Sequence, residues 1–214
     1  MASEKRELLY HSVCLEEGDC KGCTTCMRYC PTQAIRVQHG KAKIIREKCI
    51  DCGECVRRCP YHAKRVVSDN FFMLKSFRHN VALVAPAFCG QFPKATDIDL
   101  ILTGLKKIGF DDVFEVARGA EVITAKTKEI LTEKKTEGPI ISSACPAVVR
   151  LIAVKFPSLS KNVIPLTSPM EAAAHMARRE AVEKTGLAEN EIGIFFISPC
   201  PAKRTAITMI MYKF

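Results

Sequence analysis

From Asn80 onward, short apolar runs alternate with stretches whose apolar residues recur every three or four positions. Val81–Ala85 reads as a buried strand. Residues 96–108 place Ile98, Ile101, Leu102, Leu105 and Ile108 on one helical face, and Gly109 fits as the residue that closes the helix. Val113–Val116 predicts a second strand. Residues 119–135 predict a helix with Val122, Ile123, Ile130 and Leu131 inward and lysines in its last turn, where the dipole favours cations. A third strand is expected at residues 140–142, then a helix over 146–155 and a short extended segment over 163–166. Ser168 as N-cap and Pro169 at the first helical position open a helix over 169–185, and Ile192–Ile197 is the last strand. Repeated βα units predict a mostly parallel sheet with helices on its faces.

Before Asn80 this rhythm is absent and cysteines take its place. Cys20–Pro31 reads CKGCTTCMRYCP and Cys49–Pro60 reads CIDCGECVRRCP. Each is C-x2-C-x2-C-x3-C-P, the run of ferredoxins that hold two four-iron clusters, in which the fourth cysteine crosses to the other cluster. The pattern assigns Cys20, Cys23, Cys26 and Cys59 to one cluster, and Cys49, Cys52, Cys55 and Cys30 to the other. Three closely spaced thiolates let a tight loop wrap a cluster and turn N–H groups toward its sulfurs. Pro31 and Pro60 fix φ, offer no donor and end the loop.

The runs form an internal repeat with an offset of 29 residues: Arg28 matches Arg57, Ala34 matches Ala63, Arg36 matches Arg65 and Val37 matches Val66. Repetition with ligand exchange implies a pseudo-two-fold module, each half a strand, a cluster loop and a short helix. Paired C-x2-C also suits tetrahedral zinc. Zinc, however, does not need a fourth cysteine three residues on with a proline behind it. Cys14, between Val13 and Leu15, belongs to the strand that opens the module and is expected as a packed or surface thiol. Phe71–Leu74 is expected to pack between the modules.

Composition narrows the partners. The 214 residues contain twelve cysteines and a formal charge of +9. The opening MASEKRELLY has no apolar signal core, and the longest apolar run, Val81–Cys89, contains a proline and is too short to span a membrane. Clustered thiols without a signal peptide indicate a reducing cytoplasm and metal. Two clusters, each carrying about −2 with its thiolates, remove about four units of the positive charge. No basic segment is interleaved with aromatics as a stacking surface for nucleic acid would be. The basic run around Lys134 reads as a solvated helix end.

Two short sequences echo each other further on: Ser143-Ala-Cys-Pro-Ala147 and Ser198-Pro-Cys-Pro-Ala202. Each follows a predicted strand, so Cys145 and Cys200 are expected at the carboxyl edge of the sheet, where α/β folds bind ligands. They make two metal-ligand candidates of a needed four. With VAPA at residue 84, SSACPAVVRLI, TSPMEAA and ISPCPAK, nearly the whole chain resembles the iron-only (FeFe) hydrogenases. The resemblance implies an active site in which a four-iron cluster is bridged by one cysteine to a di-iron centre bearing CO and cyanide. It makes Cys145 and Cys200 ligands of that cluster and Lys203 the contact to a cyanide.

The same comparison shows departures. Ala144 stands where catalytic members have a proton-relaying cysteine, and Ala206 where they have a carboxylate. Both losses resemble the sensory-type branch of the family. The third motif, with the last two cysteines, is not found before Phe214. Cys89 matches no ligand and is expected to pack.

The fold class expected is therefore an α+β two-cluster ferredoxin-like module over residues 1–79, followed over 80–214 by an α/β domain, an incomplete FeFe-hydrogenase domain. The function expected is electron transfer through two 4Fe-4S clusters within a sensory-type, hydrogen- or redox-sensing protein. The alternatives are a plain ferredoxin-type carrier or adaptor and a low-activity hydrogenase. An active-site hydrogenase cluster is expected only if the missing ligands are supplied. The partner expected is a redox protein or signalling module, with no nucleic acid and no membrane span.

Overall fold

The computed structural model describes residues 11–93, 96–133 and 138–211, with side chains through residue 208 in the last helix. The chain forms two compact units, and it does not group as a single cut at residues 79 and 80. One unit takes the chain as far as Ser68 together with Ile141–Ile164 and the segment from Cys200; the other takes Asp69–Ile140 and Pro165–Pro199.

The first unit contains strands β1 (Val13–Leu15), β2 (Ile35–Gln38), β3 (Lys41–Ile44) and β4 (Lys64–Val66), and short helices α1 (Thr25–Arg28) and α2 (Glu54–Arg57). The strands pair antiparallel as β1 with β4 and β2 with β3, so the first strand of each half bonds the last strand of the other. The repeat offset reproduces the geometry residue by residue. The left-handed positions Gly22, Thr24 and Gln33 match Asp51, Gly53 and His62. The bridging bonds match too: Ile45 N donates to Ala34 O (2.7 Å), and Glu16 N to Ala63 O (2.8 Å). Ala34 and Ala63 are each 1 % exposed, and each lies beside a cysteine sulfur that its own N–H reaches.

The second unit is built on a three-stranded parallel sheet in the order β6-β5-β7, with β5 at His79–Val84, β6 at Asp112–Glu115 and β7 at Ile192–Ile197. Short helix α3 (Pro86–Cys89) follows β5, α4 (Ile98–Lys107) leads on to β6, and α5 (Val116–Glu133) and α7 (Pro169–Thr185) complete the unit. One sheet face, with Val81, Leu83, Phe114 and Ile192, packs on Ala173, Ala177 and Ala181 of α7. The other, with Ala82 and Val84, packs on Leu105 of α4 and Phe110; Cys89 packs there too. The alanine stripe lets α5 come close: a Cβ on Gly119 would lie 2.4 Å from Pro169 O. Ser168 and Glu171 close a capping box at the start of α7.

Several expectations are corrected. Helix α5 begins at Val116, directly from β6, and its partly buried stripe runs through Val116, Gly119, Ile123 and Ile130. Val122 and Leu131 are exposed. In α4 only Ile101 and Leu105 are buried; Ile98 and Ile108 at its ends face solvent, so the apolar face is narrower than its spacing implies. The strand expected at 140–142 reduces to one parallel bridge, Ile141 to Val163, because two serines follow at once and leave no apolar alternation to extend. Phe71, Phe72 and Met73 remain exposed; Phe71 rests edge-on against Phe110 with ring centroids 6.1 Å apart. The lysines expected to end α5 at 134 and 135 lie outside the described residues.

Candidate iron–sulfur centres

Two cavities open between the cysteine loops of the first unit. The first, about 340 Å³ including its mouth, is lined by Cys20, Cys23, Cys26 and Cys59; the second, about 350 Å³, by Cys30, Cys49, Cys52 and Cys55. Each cavity thus gathers three cysteines of one run and the fourth of the other. The brief helices α1 and α2 supply the turn that carries Cys26 and Cys55 inward. The α1 and α2 ends are joined by the Arg58 guanidinium over the Tyr29 ring at 4.7 Å.

The backbone aims donors at the sulfurs. Ala34 N lies 3.2 Å from Cys30 Sγ, Ala63 N 3.3 Å from Cys59 Sγ, and Ala42 N 3.4 Å from Cys20 Sγ. Such donors stabilise negative sulfur. Burial pushes the Cys55 thiol up to about 12 and, with the Asp51 carboxylate adding to it, the Cys49 thiol up to about 11. Cys20 goes the other way: burial opposes it, but the Ala42 and Gly22 N–H groups and the Lys64 and Lys41 charges hold it below its ordinary value. Loading metal into these sites therefore releases protons, since thiolates are the ligands.

The residues fit 4Fe-4S clusters on a further ground. Lys64 Nζ is buried and has no hydrogen-bond partner, and Lys64 lines the first cavity, so an anion belongs opposite it. Gly22 supplies the tight turn at this cavity, with φ +66° and a would-be Cβ 2.5 Å from Gly40 O. Gly22→Ala is expected to cost about 1–2 kcal/mol from the left-handed backbone alone, with the clash added, and to empty the first site. Iron analysis of that variant should show about half the normal content.

Behind the second cavity lies a buried ionic cluster that sequence reasoning missed. His11 Nδ1 is 2.7 Å from Asp51 Oδ2, and Arg150 donates to the same oxygen at 3.0 Å. Val13 N donates to Asp51 Oδ1 at 3.3 Å, and Cys49 Sγ lies 3.7 Å from that oxygen. Burial pulls the Asp51 carboxyl upward, but the hydrogen bond and charge of His11, the Val13 N–H and Arg150 outweigh it and hold it below the usual carboxylate range. The signal for it was the break in the repeat, where an aspartate stands opposite Gly22.

Cys145 and Cys200 each precede a proline that starts a helix: α6 (Pro146–Lys155) and α8 (Pro201–Met211), which pack on each other. Cys145 is exposed and follows the isolated bridge, so it does not sit at the end of a sheet strand; Cys200 is half-buried and follows β7. Among the described residues, neither joins a group of three or more metal-ligating side chains. Lys203 is half-buried on α8. Both helices are fastened to the cysteine module, α6 through Arg150 and α8 through Ser12, whose Oγ donates to Pro201 O (2.8 Å) and whose N donates to Thr205 Oγ1 (3.1 Å). Cys14 Sγ donates to Arg65 O at 3.6 Å and takes no part in either cavity.

Residues 12–60 match the 4Fe-4S dicluster domain, and residues 78–209 match the iron only hydrogenase large subunit, C-terminal domain. The chain is 26% identical to Iron hydrogenase 1 of Clostridium pasteurianum over 59% of its own length and 24% of that protein. It is 26% identical to the cytosolic Fe-S cluster assembly factor NAR1 of Candida dubliniensis over 49% of its own length and 18% of that protein. A solved [FeFe]-hydrogenase superposes with a TM-score of 0.51 at 28% identity, covering 60% of this chain and 35% of that one. The chain thus spans about a quarter or less of the curated relatives it matches. With the family match running over most of its length and a 4Fe-4S dicluster domain ahead of it, the chain belongs to the iron-only hydrogenase large-subunit family.

Proposed function

We propose that this protein carries electrons through two 4Fe-4S clusters and reports redox state or hydrogen as a sensory-type member of its family. Cys20, Cys23, Cys26 and Cys59 hold one cluster; Cys30, Cys49, Cys52 and Cys55 hold the other. The reading rests chiefly on the two four-thiol cavities, each drawing its fourth cysteine from the opposite run. When bound, each cluster supplies a one-electron couple. The chain's own part is to present eight thiolates, direct N–H groups at them and exclude water from Cys20 and Cys26, both 8 % exposed.

Cys145, Cys200 and Lys203 belong, on this proposal, to a further cluster whose remaining ligands these 214 residues do not provide. Ala144 favours sensing over turnover, because it has no side-chain proton to relay and positioned proton transfer contributes about 10²–10⁴-fold. Its N–H is held by Ser142 Oγ at 3.3 Å. The partner is a redox protein or signalling module, met in the cytoplasm. The eight cysteines of the two runs form no disulfides, and no helix among the described residues is long and apolar enough to cross a membrane.

Anaerobic reconstitution should yield about eight irons and eight sulfides per chain, with visible absorbance that bleaches on reduction and no hydrogen evolved. Stoichiometric zinc without acid-labile sulfide would sink the cluster assignment. Robust hydrogen evolution by the 214-residue chain, purified free of other hydrogenases, would sink the sensory one. Four further irons would indicate that a site at Cys145 and Cys200 is completed from outside the chain.

A further inference from the structure

The two cysteine repeats agree so closely that a buried disagreement in charge between them stands out. After the buried Ala34 comes Ile35; after the buried Ala63 comes Lys64, and both followers are 2 % exposed. Ile35 lines the cavity of Cys30, Cys49, Cys52 and Cys55, while Lys64 lines that of Cys20, Cys23, Cys26 and Cys59. Lysine is rarely buried unless paired, yet this ammonium has no protein partner. Lys41, by contrast, spends its ammonium on the carbonyls of Glu17 (2.7 Å) and Cys20 (2.8 Å). The repeat breaks in the opposite sense elsewhere: Gly22 borders the first cavity where the Asp51 carboxylate borders the second.

We propose that Lys64 sets the order of reduction, raising the potential of the cluster at Cys20, Cys23, Cys26 and Cys59 above that of its neighbour so that the first electron rests there. The proposal rests on the ligand sets given above. One electron takes a cluster with its thiolates from about −2 to about −3, so net charge nearby is a lever on its potential. A cation out of water is screened little and favours the more negative state. The Lys64 charge bears on Cys20 and Cys26 in its own cavity and on Cys55 in the other. Both clusters are raised, its own more, because Lys64 lines the first cavity and is absent from the lining of the second. Asp51, 3.7 Å from Cys49 Sγ, holds the second cluster down, though His11 and Arg150 offset part of its charge.

The test is an anaerobic redox titration of the reconstituted chain, with dithionite as electron source and EPR and absorbance as readouts, on wild type, Lys64→Ile and Lys64→Gln. Wild type should show two one-electron midpoints, and Cys59→Ala should lose the higher one. Both Lys64 variants should lower the higher midpoint by at least a tenfold change in its reduced-to-oxidised ratio, about 59 mV for one electron, and narrow the gap. Unchanged midpoints, a widened gap, loss of the lower midpoint in Cys59→Ala, or a shift in Lys64→Ile without one in Lys64→Gln would overturn the proposal. Iron and sulfide are measured alongside. Wild type that fails to bind about eight irons refutes the ligand sets themselves, whereas iron lost from both Lys64 variants assigns the lysine to structure and overturns its redox role.

Discussion

Cys59→Ala is expected to destroy the same cluster as Cys20→Ala, although the two residues are 39 positions apart and belong to different runs. Cys30→Ala should instead resemble Cys49→Ala. Each variant should keep about half its iron, since the opposite cavity retains four thiols. The expectation follows from the strand exchange: β4 returns from Cys59 to pair with β1, which leads into Cys20, and β2 returns from Cys30 to pair with β3, which leads into Cys49. EPR of the reduced variants gives the readout, because the lost signal identifies the lost cluster. If Cys20→Ala and Cys30→Ala abolish one and the same signal, each run binds its own cluster and the pseudo-two-fold arrangement is wrong.

Asp51→Ala should be the most damaging change outside the cysteines. The Asp51 and His11 side chains are 0% and 1% exposed, and removing the carboxylate strands His11, Arg150 and the Val13 N–H at once. Breaking one partner of a buried ion pair costs about 3–5 kcal/mol. That is a large share of a typical domain stability of about 5–15 kcal/mol. Urea denaturation of the reconstituted protein should show the loss as a lowered midpoint, and Asp51→Ala with Arg150→Ala should lose less than the two single changes added together. A change under about 1 kcal/mol would show that the cluster contributes nothing. The pH dependence has a definite sign. Because the folded carboxyl is held below the ordinary value of about 3.9, its contribution is complete above that value and is lost as pH falls through the lowered one. Asp51→Asn should therefore flatten the acid limb of the stability profile and leave the neutral region lower throughout.

What could be read from the letters was whatever depends on local spacing. The cysteine runs declare both cavities, because cluster ligation demands fixed offsets. The helix at Pro169–Thr185 declares itself through Ser168 and Pro169, whose roles need only near neighbours. The bridge at Ile141 shows the limit: an apolar pair flanked by serines looks like a strand until one asks which partner extends it. Of the ionic cluster the letters mark only Asp51, as the break in the repeat opposite Gly22, and not its partners. Asp51 lies 40 positions from His11 and 99 from Arg150, and no periodicity relates them. Lys64 was missed because a lysine in a short strand is ordinarily solvated; only its match to Ile35 marks the position as interior.

Ser12, wholly buried, donates its backbone N–H to the hydroxyl of a threonine 193 positions later. Chains are synthesised at about 5–20 residues per second. The residue that caps the first strand therefore emerges roughly 10–40 s after that strand does. During that interval the ribosome-bound chain displays both cysteine runs before Arg150 and Thr205 exist to bond Asp51 and Ser12. Cluster delivery thus has an open window set by translation, and a synonymous change that slows decoding between the second cysteine run and Arg150 should lengthen it.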